Sequence, residues 1–141
     1  VRHMQGVPGT MQQAPEYEDV VSEVSRFLAA AVARCRAAGV AEERLVIDPG
    51  FGFGKTLDHN LALFRALTVA FGDQLPVLVG VSRKSMLGAI TGRPVEQRLA
   101  ASVAAALLAA QKGAKILRVH DVAATRDVLV VWAAIEQGSQ R

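Results

Sequence analysis

One cysteine, Cys35, stands in the whole chain, so no internal disulfide can form. A thiol set among the apolar positions of a helical pattern fits a reducing compartment as a buried or half-buried structural side chain. No apolar run approaches the ~20 residues of a membrane span. The first residues also lack a charged stretch followed by an apolar one, so neither a transmembrane segment nor a secretory leader is expected. Nor is there a block of like charge: 16 Lys and Arg are interspersed with 13 Asp and Glu, for a formal net charge of +3. That scatter argues against a nucleic-acid footprint and suits a small anionic ligand better. No biased tract argues for disorder. What is there, 51% hydrophobic and 21% charged over 141 residues, is the composition of one globular domain spanning residues 1–141, with a cytoplasmic location expected.

Helical and strand periods alternate along the chain. Over residues 18–38, Val20, Val21, Val24, Phe27, Leu28, Val32 and Cys35 recur at helical spacing, with Pro15 before the first turn and Gly39 after the last. "RLVID" reads as a strand, followed by a glycine-rich loop and a second helix with Leu57, Leu61, Phe64, Leu67 and Phe71 on one side. "PVLVGVS" is a second strand, so continuous in apolar residues that both faces are expected to be covered. After a short helical turn, "VEQRLAASVAAALLAAQKG" predicts a third helix rich in alanine, closed by Lys112 and Gly113. "AKILRV" then reads as the third strand and "ATRDVLVVWAAIEQ" as the last helix. Strand starts near Arg44, Pro76 and Lys115 lie roughly 30–40 residues apart, the size of βα units in a parallel sheet, so the fold class is α/β. The first fifteen residues show no periodicity and read as a loop. Trp132 and the phenylalanines at helical spacing are expected in the core, and His59, at a helix start, on the surface.

The stretch "VIDPGFGFGKT" looks at first like a phosphate-cradling loop. A Walker A loop needs glycine five positions before its final Gly-Lys-Thr, so that successive backbone N–H groups wrap the phosphates. Counted back from Gly54, Lys55 and Thr56, that position is Pro49, which has no N–H and a fixed φ. A dinucleotide-binding pattern fails too, because its third glycine would fall on Lys55. The alternating glycines still demand positive φ or close backbone approach, so the loop is expected to lie against a ligand.

More telling is where the charged residues fall. Asp48 ends a buried strand, where a charge needs a partner. Ser82, Arg83, Lys84 and Ser85 follow the second strand, and Arg118 and His120 share one face of the third, with Leu117 and Val119 on the other. Each has a plainer reading: Asp48 as a turn cap, Lys84 as a solvated lysine, Arg118 and His120 as partners of Asp121 or another acid. Jointly, however, three strands deliver charge to their C-terminal ends, the edge where parallel α/β architectures bind ligands. An acid that reads N–H donors beside several cations implies a ligand with a donating heterocycle and an anionic group.

Four segments in this order, "HMQGVPGTMQ", "VIDPGFGFGKT", "VGVSRKSMLG" and "RVHDVAATRDVL", together resemble the dihydropteroate synthases of the folate pathway, from His3 to the end of the chain. The resemblance marks His3 and Met4 as native residues rather than a tag remnant. It implies a (β/α)8 barrel of TIM type, of which this chain covers roughly the last three βα units plus the preceding loop and helix. It also implies a reaction in which p-aminobenzoate displaces pyrophosphate from the methylene group of a dihydropterin pyrophosphate to give 7,8-dihydropteroate. Mg2+ assists the leaving group, with its ligand expected in the N-terminal half and no metal ligand in this chain. By the same resemblance Asp48 hydrogen-bonds the pterin amidine, Lys84 a pterin acceptor, Phe53 walls the site and Met4 lines the pterin pocket. Arg118 lies over the ring and reaches pyrophosphate, His120 binds pyrophosphate, and Ser85 seats the p-aminobenzoate carboxylate. The implied catalytic residues are Lys84, Arg118 and His120, and the implied assembly is a homodimer with neither nucleic-acid nor membrane partners. "GVPGTMQ" departs from the family pattern in lacking a basic residue between Pro8 and Thr10. The competing expectation is a non-catalytic remnant that binds pterin or pyrophosphate, or that partners a full-length synthase.

Overall fold

The computed structural model describes residues 1–4, 19–71 and 75–138. Glu18, Pro15 and "GVPGTMQ" lie outside them. Four short parallel segments follow one another in the order in which the chain makes them. Strand β1 (Leu78–Val79) pairs with β2 (Ile116–Leu117), Leu78 opposite Ile116 and Val79 opposite Leu117. On the far side of β1, Ile47 bridges Val77, and beyond it Arg2 bridges Asp48, both parallel. Residues 1–3 are therefore an extended segment and not part of a loop. The Asp48 N–H donates to the Val1 carbonyl at 2.8 Å and the His3 N–H to the Asp48 carbonyl at 3.0 Å. Three residues are too few to show a period in sequence; their order comes from the neighbouring segment.

The expected strands are trimmed to the rungs that find a partner. Arg44, expected to open the first, instead closes a 3-10 turn, Glu42–Arg44. Helix α1 (Val20–Ala37) starts on Asp19, whose carboxylate accepts the N–H groups of Val21 and Ser22, and α1 buries Val20, Val24, Leu28, Ala31 and Val32. The expected second helix is broken at Ala66 into α2 (Leu57–Arg65) and α3 (Leu67–Phe71), the Ala66 N–H being shared between the Ala62 and Phe64 carbonyls. Helix α4 (Ser85–Thr91) follows β1, and α5 (Leu99–Gln111) ends where Gly113 takes a φ of 92°. The final helix is α6 (Val122–Gln137).

Between α1, α2, α3 and the sheet sits the core, with Val24, Leu28, Leu63, Leu67 and Phe71 against Ile47, Val77 and Val79. Along the second strand Val77, Val79 and Val81 are buried while Leu78 is half-buried, so one face is covered fully and the other in part. Two aromatic expectations are corrected: Phe27 is 40% exposed, and Trp132 is half-buried in an open groove between α6 and Ala110 of α5. For Trp132 the reason is that α6 buries only Thr125 and leaves Val130, Val131 and Ile135 in solvent, so its apolar stripe meets little of the core. Cys35 is half-buried against the core, as expected. Among the described residues no helix is long and apolar enough to cross a membrane.

Candidate functional site

After Ile47 the chain leaves the sheet through Asp48 and three glycines in left-handed conformations, Gly50, Gly52 and Gly54, with φ of 73°, 83° and 61°. Asp48 caps this turn, its Oδ1 accepting the Gly50 N–H at 2.8 Å. Its second oxygen remains for other donors, and Arg118 stands 3.9 Å from it. Lys55, the residue that a phosphate-cradling loop would aim at its ligand, is buried and donates to the carbonyls of Gly50 (2.7 Å) and Phe53 (2.9 Å). It is a staple inside the loop, which removes the P-loop reading. Asn60 adds a second, accepting the Gly52 N–H at 2.8 Å and donating to the Thr56 carbonyl at 2.8 Å. The loop thereby presents Phe53 half-buried, with the Arg2 guanidinium 4.1 Å and the Lys84 ammonium 4.7 Å from its ring centre.

The second strand ends in a turn that delivers Lys84. Its Nζ donates to the Phe51 carbonyl, so the lysine spans from its own turn to the glycine-rich loop. The third strand delivers Arg118, whose guanidinium lies across Gly80, and His120, whose Nδ1 is 2.9 Å from Ser82 Oγ. Lys84, Arg118 and His120 line one cavity of about 230 Å3, together with Gly80, Ser82 and Val119.

Burial pulls the Lys84 ammonium down to about 8; Asp48 opposes the shift, and the charges of Arg118 and Arg2 add to it. Lys55 is lowered to about 8 as well, first by burial and then by Lys84, against Asp48. Lys84 thus stands among two arginines, Arg2 and Arg118, and one carboxylate, Asp48. Such a surplus of positive charge is relieved by an anion, and Asp48 Oδ2, held by Arg118 only at 3.9 Å, has room to accept from N–H donors.

Asp48, Phe53, Lys84, Arg118 and His120 are therefore brought together. Ser85, the first residue of α4, is exposed beside Lys84, and Met4 is exposed; neither lines the cavity. Asp121 forks onto Arg83, with the charge of His120 also acting on it, while Arg118 pairs across the strands with Asp48 at 3.9 Å, as the plainer reading of that arginine has it. His59 closes a capping box with Thr56 at the start of α2. Arg2 was not legible as a site residue, since nothing in "VRHM" separates it from a surface arginine. Gly80 did carry a signal, because a glycine inside a strand marks close approach. Among the described residues no group of three or more His, Cys, Asp or Glu side chains could hold a metal ion. Asp48 is engaged by Gly50 and faces Arg118, and Asp121 is engaged by Arg83, so these residues do not fit Mg2+, which wants several oxygen ligands.

A family model described as pterin binding enzyme matches residues 1–120. The dihydropteroate synthase of Haemophilus influenzae is 54% identical over 134 residues, which are 95% of this chain and 49% of that protein. The crystal structure of dihydropteroate synthase from Stenotrophomonas maltophilia, with imidazole bound in its active site, superposes with a TM-score of 0.94 at 50% identity, covering 99% of this chain and 53% of that one. The Xanthomonas albilineans enzyme in complex with 7,8-dihydropteroate gives a TM-score of 0.88 at 50% identity, over 98% of this chain and 50% of that one. The chain spans about half the length of these relatives. With the match running through the glycine-rich loop and both cationic strand ends, the chain belongs to the pterin binding enzyme family.

Proposed function

We propose that this chain supplies the pterin- and pyrophosphate-facing part of a dihydropteroate synthase site, built on consecutive βα units of a (β/α)8 barrel. The parallel segments run side by side in chain order, the sequence of a barrel wall, where a doubly wound sheet would reverse. The observation that carries the reading is the shared cavity of Lys84, Arg118 and His120, with Asp48 beside Arg118.

In the proposed reaction the amine of p-aminobenzoate forms a C–N bond to the pterin methylene as its C–O bond to pyrophosphate breaks, and the amine loses a proton. Asp48 Oδ2 accepts from the pterin amidine, and Lys84 donates to a ring acceptor while its charge also faces the pyrophosphate in the cavity it shares with Arg118 and His120. Phe53 walls the ring, and outside the cavity of Lys84, Arg118 and His120, as the family resemblance implies, Met4 would border the pterin and Ser85 would seat the aminobenzoate carboxylate. Arg118 and His120 hold the leaving pyrophosphate, so positive charge stands where negative charge accumulates in the transition state. Each charge-assisted contact is worth about 1.5–3 kcal/mol. Any Mg2+ would take its ligands from outside the described residues. A homodimer in a reducing cytoplasm completes the reading, supported by the apolar side chains exposed on α6 and by the lone thiol.

The test is dihydropteroate formation from dihydropterin pyrophosphate, p-aminobenzoate and Mg2+ by the purified chain, shown by circular dichroism to be folded. Product supports the reading. The second reading is a pterin- or pyrophosphate-binding chain without catalysis; a folded chain that binds pyrophosphate but makes no product would establish it.

A further inference from the structure

Arg83 is the one non-glycine among the described residues with a positive φ, 57°. An arginine in this conformation is strained, and it persists only where the surroundings over-determine it. Here they do so through four hydrogen bonds to three partners. The Arg83 N–H donates to Ser102 Oγ at 3.0 Å, and Arg98 Nη1 donates to the Arg83 carbonyl at 2.9 Å. The guanidinium forks onto Asp121, Nε to Oδ2 at 3.2 Å and Nη2 to Oδ1 at 2.7 Å. Arg98 reaches its place only because residue 88 is glycine: a Cβ there would stand 2.2 Å from its Nη2.

Solvent screens this ion pair, with the Arg83 side chain 43% exposed and Asp121 25%, so its contribution to stability is small. Its position is more informative. Arg83 lies between Ser82 and Lys84, and Asp121 follows His120. Ser82 Oγ meets both the backbone N–H of His120, at 3.3 Å, and its ring Nδ1, at 2.9 Å. Two adjacent residues of one strand-end turn are thus tied to two adjacent residues of the next. Inside those ties are the two cavity groups, Lys84 and His120, that come from different strands.

We propose that Arg83 and Asp121 are positioning residues, a clamp that fixes the turn carrying Lys84 against the turn carrying His120 so that both face one anion. The inference rests on the reading of that cavity as the pyrophosphate site. The clamp holds Arg83 in a backbone conformation that aims Lys84 back toward the glycine-rich loop while its own side chain reaches the other way. Without the fork, only Ser102 and Arg98 hold the strained turn, which loosens, and the spacing between the two cavity groups is lost.

The experiment compares Arg83→Ala, Asp121→Asn and the double variant with the unaltered chain. It measures inorganic pyrophosphate affinity by calorimetry, the His120 imidazole signals by NMR, and folding by circular dichroism. The clamp predicts that each single variant folds and loses affinity on the order of tenfold, that the double variant is no worse than the weaker single, and that Arg83→Lys recovers part of the loss. It also predicts that the His120 signals broaden or average in every variant lacking the fork. Unchanged affinity in folded variants, or losses that multiply, overturns it. If the unaltered chain binds no pyrophosphate, the reading of the cavity falls, and the NMR signals alone decide the clamp: averaging supports it and unchanged signals overturn it. If even the near-isosteric Asp121→Asn fails to fold, the pair is a folding determinant and the positioning role is overturned.

Discussion

Arg118 lays its guanidinium across Gly80, so close that a Cβ at residue 80 would stand 2.6 Å from Nη2 and 2.9 Å from Nε. The strand needs no glycine for its own sake; what the missing side chain leaves room for is the arginine. Gly80→Ala is therefore expected to fold, because the displaced atoms are the far end of a flexible side chain. It should shift the thermal midpoint by no more than a few degrees while weakening pyrophosphate binding on the order of tenfold. A variant that keeps full affinity would show that Arg118 need not lie there.

With Lys84 held near 8 by burial, the group that should face an anion loses its charge just above neutrality. Pyrophosphate affinity is expected to be weakened by this titration as pH rises through about 8, by an amount that disappears in Lys84→Met. Stability moves the opposite way. Between pH 8 and the ordinary lysine value of 10.5 the unfolded chain binds more protons than the folded one, so stability rises with pH across that window. Calorimetric titrations and chemical denaturation at pH 7 and 9.5 measure the two trends.

His3 is buried edge-on against Phe27, ring centres 4.8 Å apart, and burial pulls it from 6.5 to about 4, with Lys55 adding and Glu23 opposing. As pH falls through that window, the unfolded chain takes up a proton that the folded chain refuses, so stability is lost on acidification. His3→Leu should show a smaller drop in urea midpoint between pH 7 and pH 5. An equal drop in both proteins would assign the acid sensitivity elsewhere.

Gly50 has a φ of 73°, and a Cβ there would stand 1.8 Å from the His3 carbonyl oxygen. Neither the left-handed backbone, worth about 1–2 kcal/mol, nor the clash with main chain can be relieved by a rotamer. Gly50→Ala should lower the thermal midpoint by more than any other alanine substitution in the loop and release the pairing of residues 1–3 with Asp48. Hydrogen exchange at the His3 and Asp48 amides reads that pairing directly.

Much of this arrangement could be read in advance because it is written in local rules. The helical stripe that becomes α1, the Gly39 and Gly113 stops and the apolar run around Val79 each state their structure within a few residues. Charge at the strand ends was legible for a related reason: Asp48, Lys84, Arg118 and His120 sit where a buried strand has just run out, a place that punishes charge without purpose. What escaped was non-local. Arg2 belongs to the site only through its bridge to Asp48 and its stacking over Phe53, residues some 45–50 positions away. The roles of Lys55 and of the Arg83 fork depend on which way a side chain turns, and composition says nothing about that. Trp132 misled for the same reason, since a helical period predicts a buried face but not whether anything covers it.

The most direct measurement is the affinity of the folded chain for dihydropterin pyrophosphate, by calorimetry, for the unaltered sequence and for Asp48→Asn and Arg118→Ala. Saturable binding is expected, weakened at least tenfold by each substitution, about 1.4 kcal/mol or more, with Arg118→Ala also losing affinity for pyrophosphate alone and Asp48→Asn retaining it. Binding that neither substitution changes, or a folded chain that binds neither ligand, would contradict it.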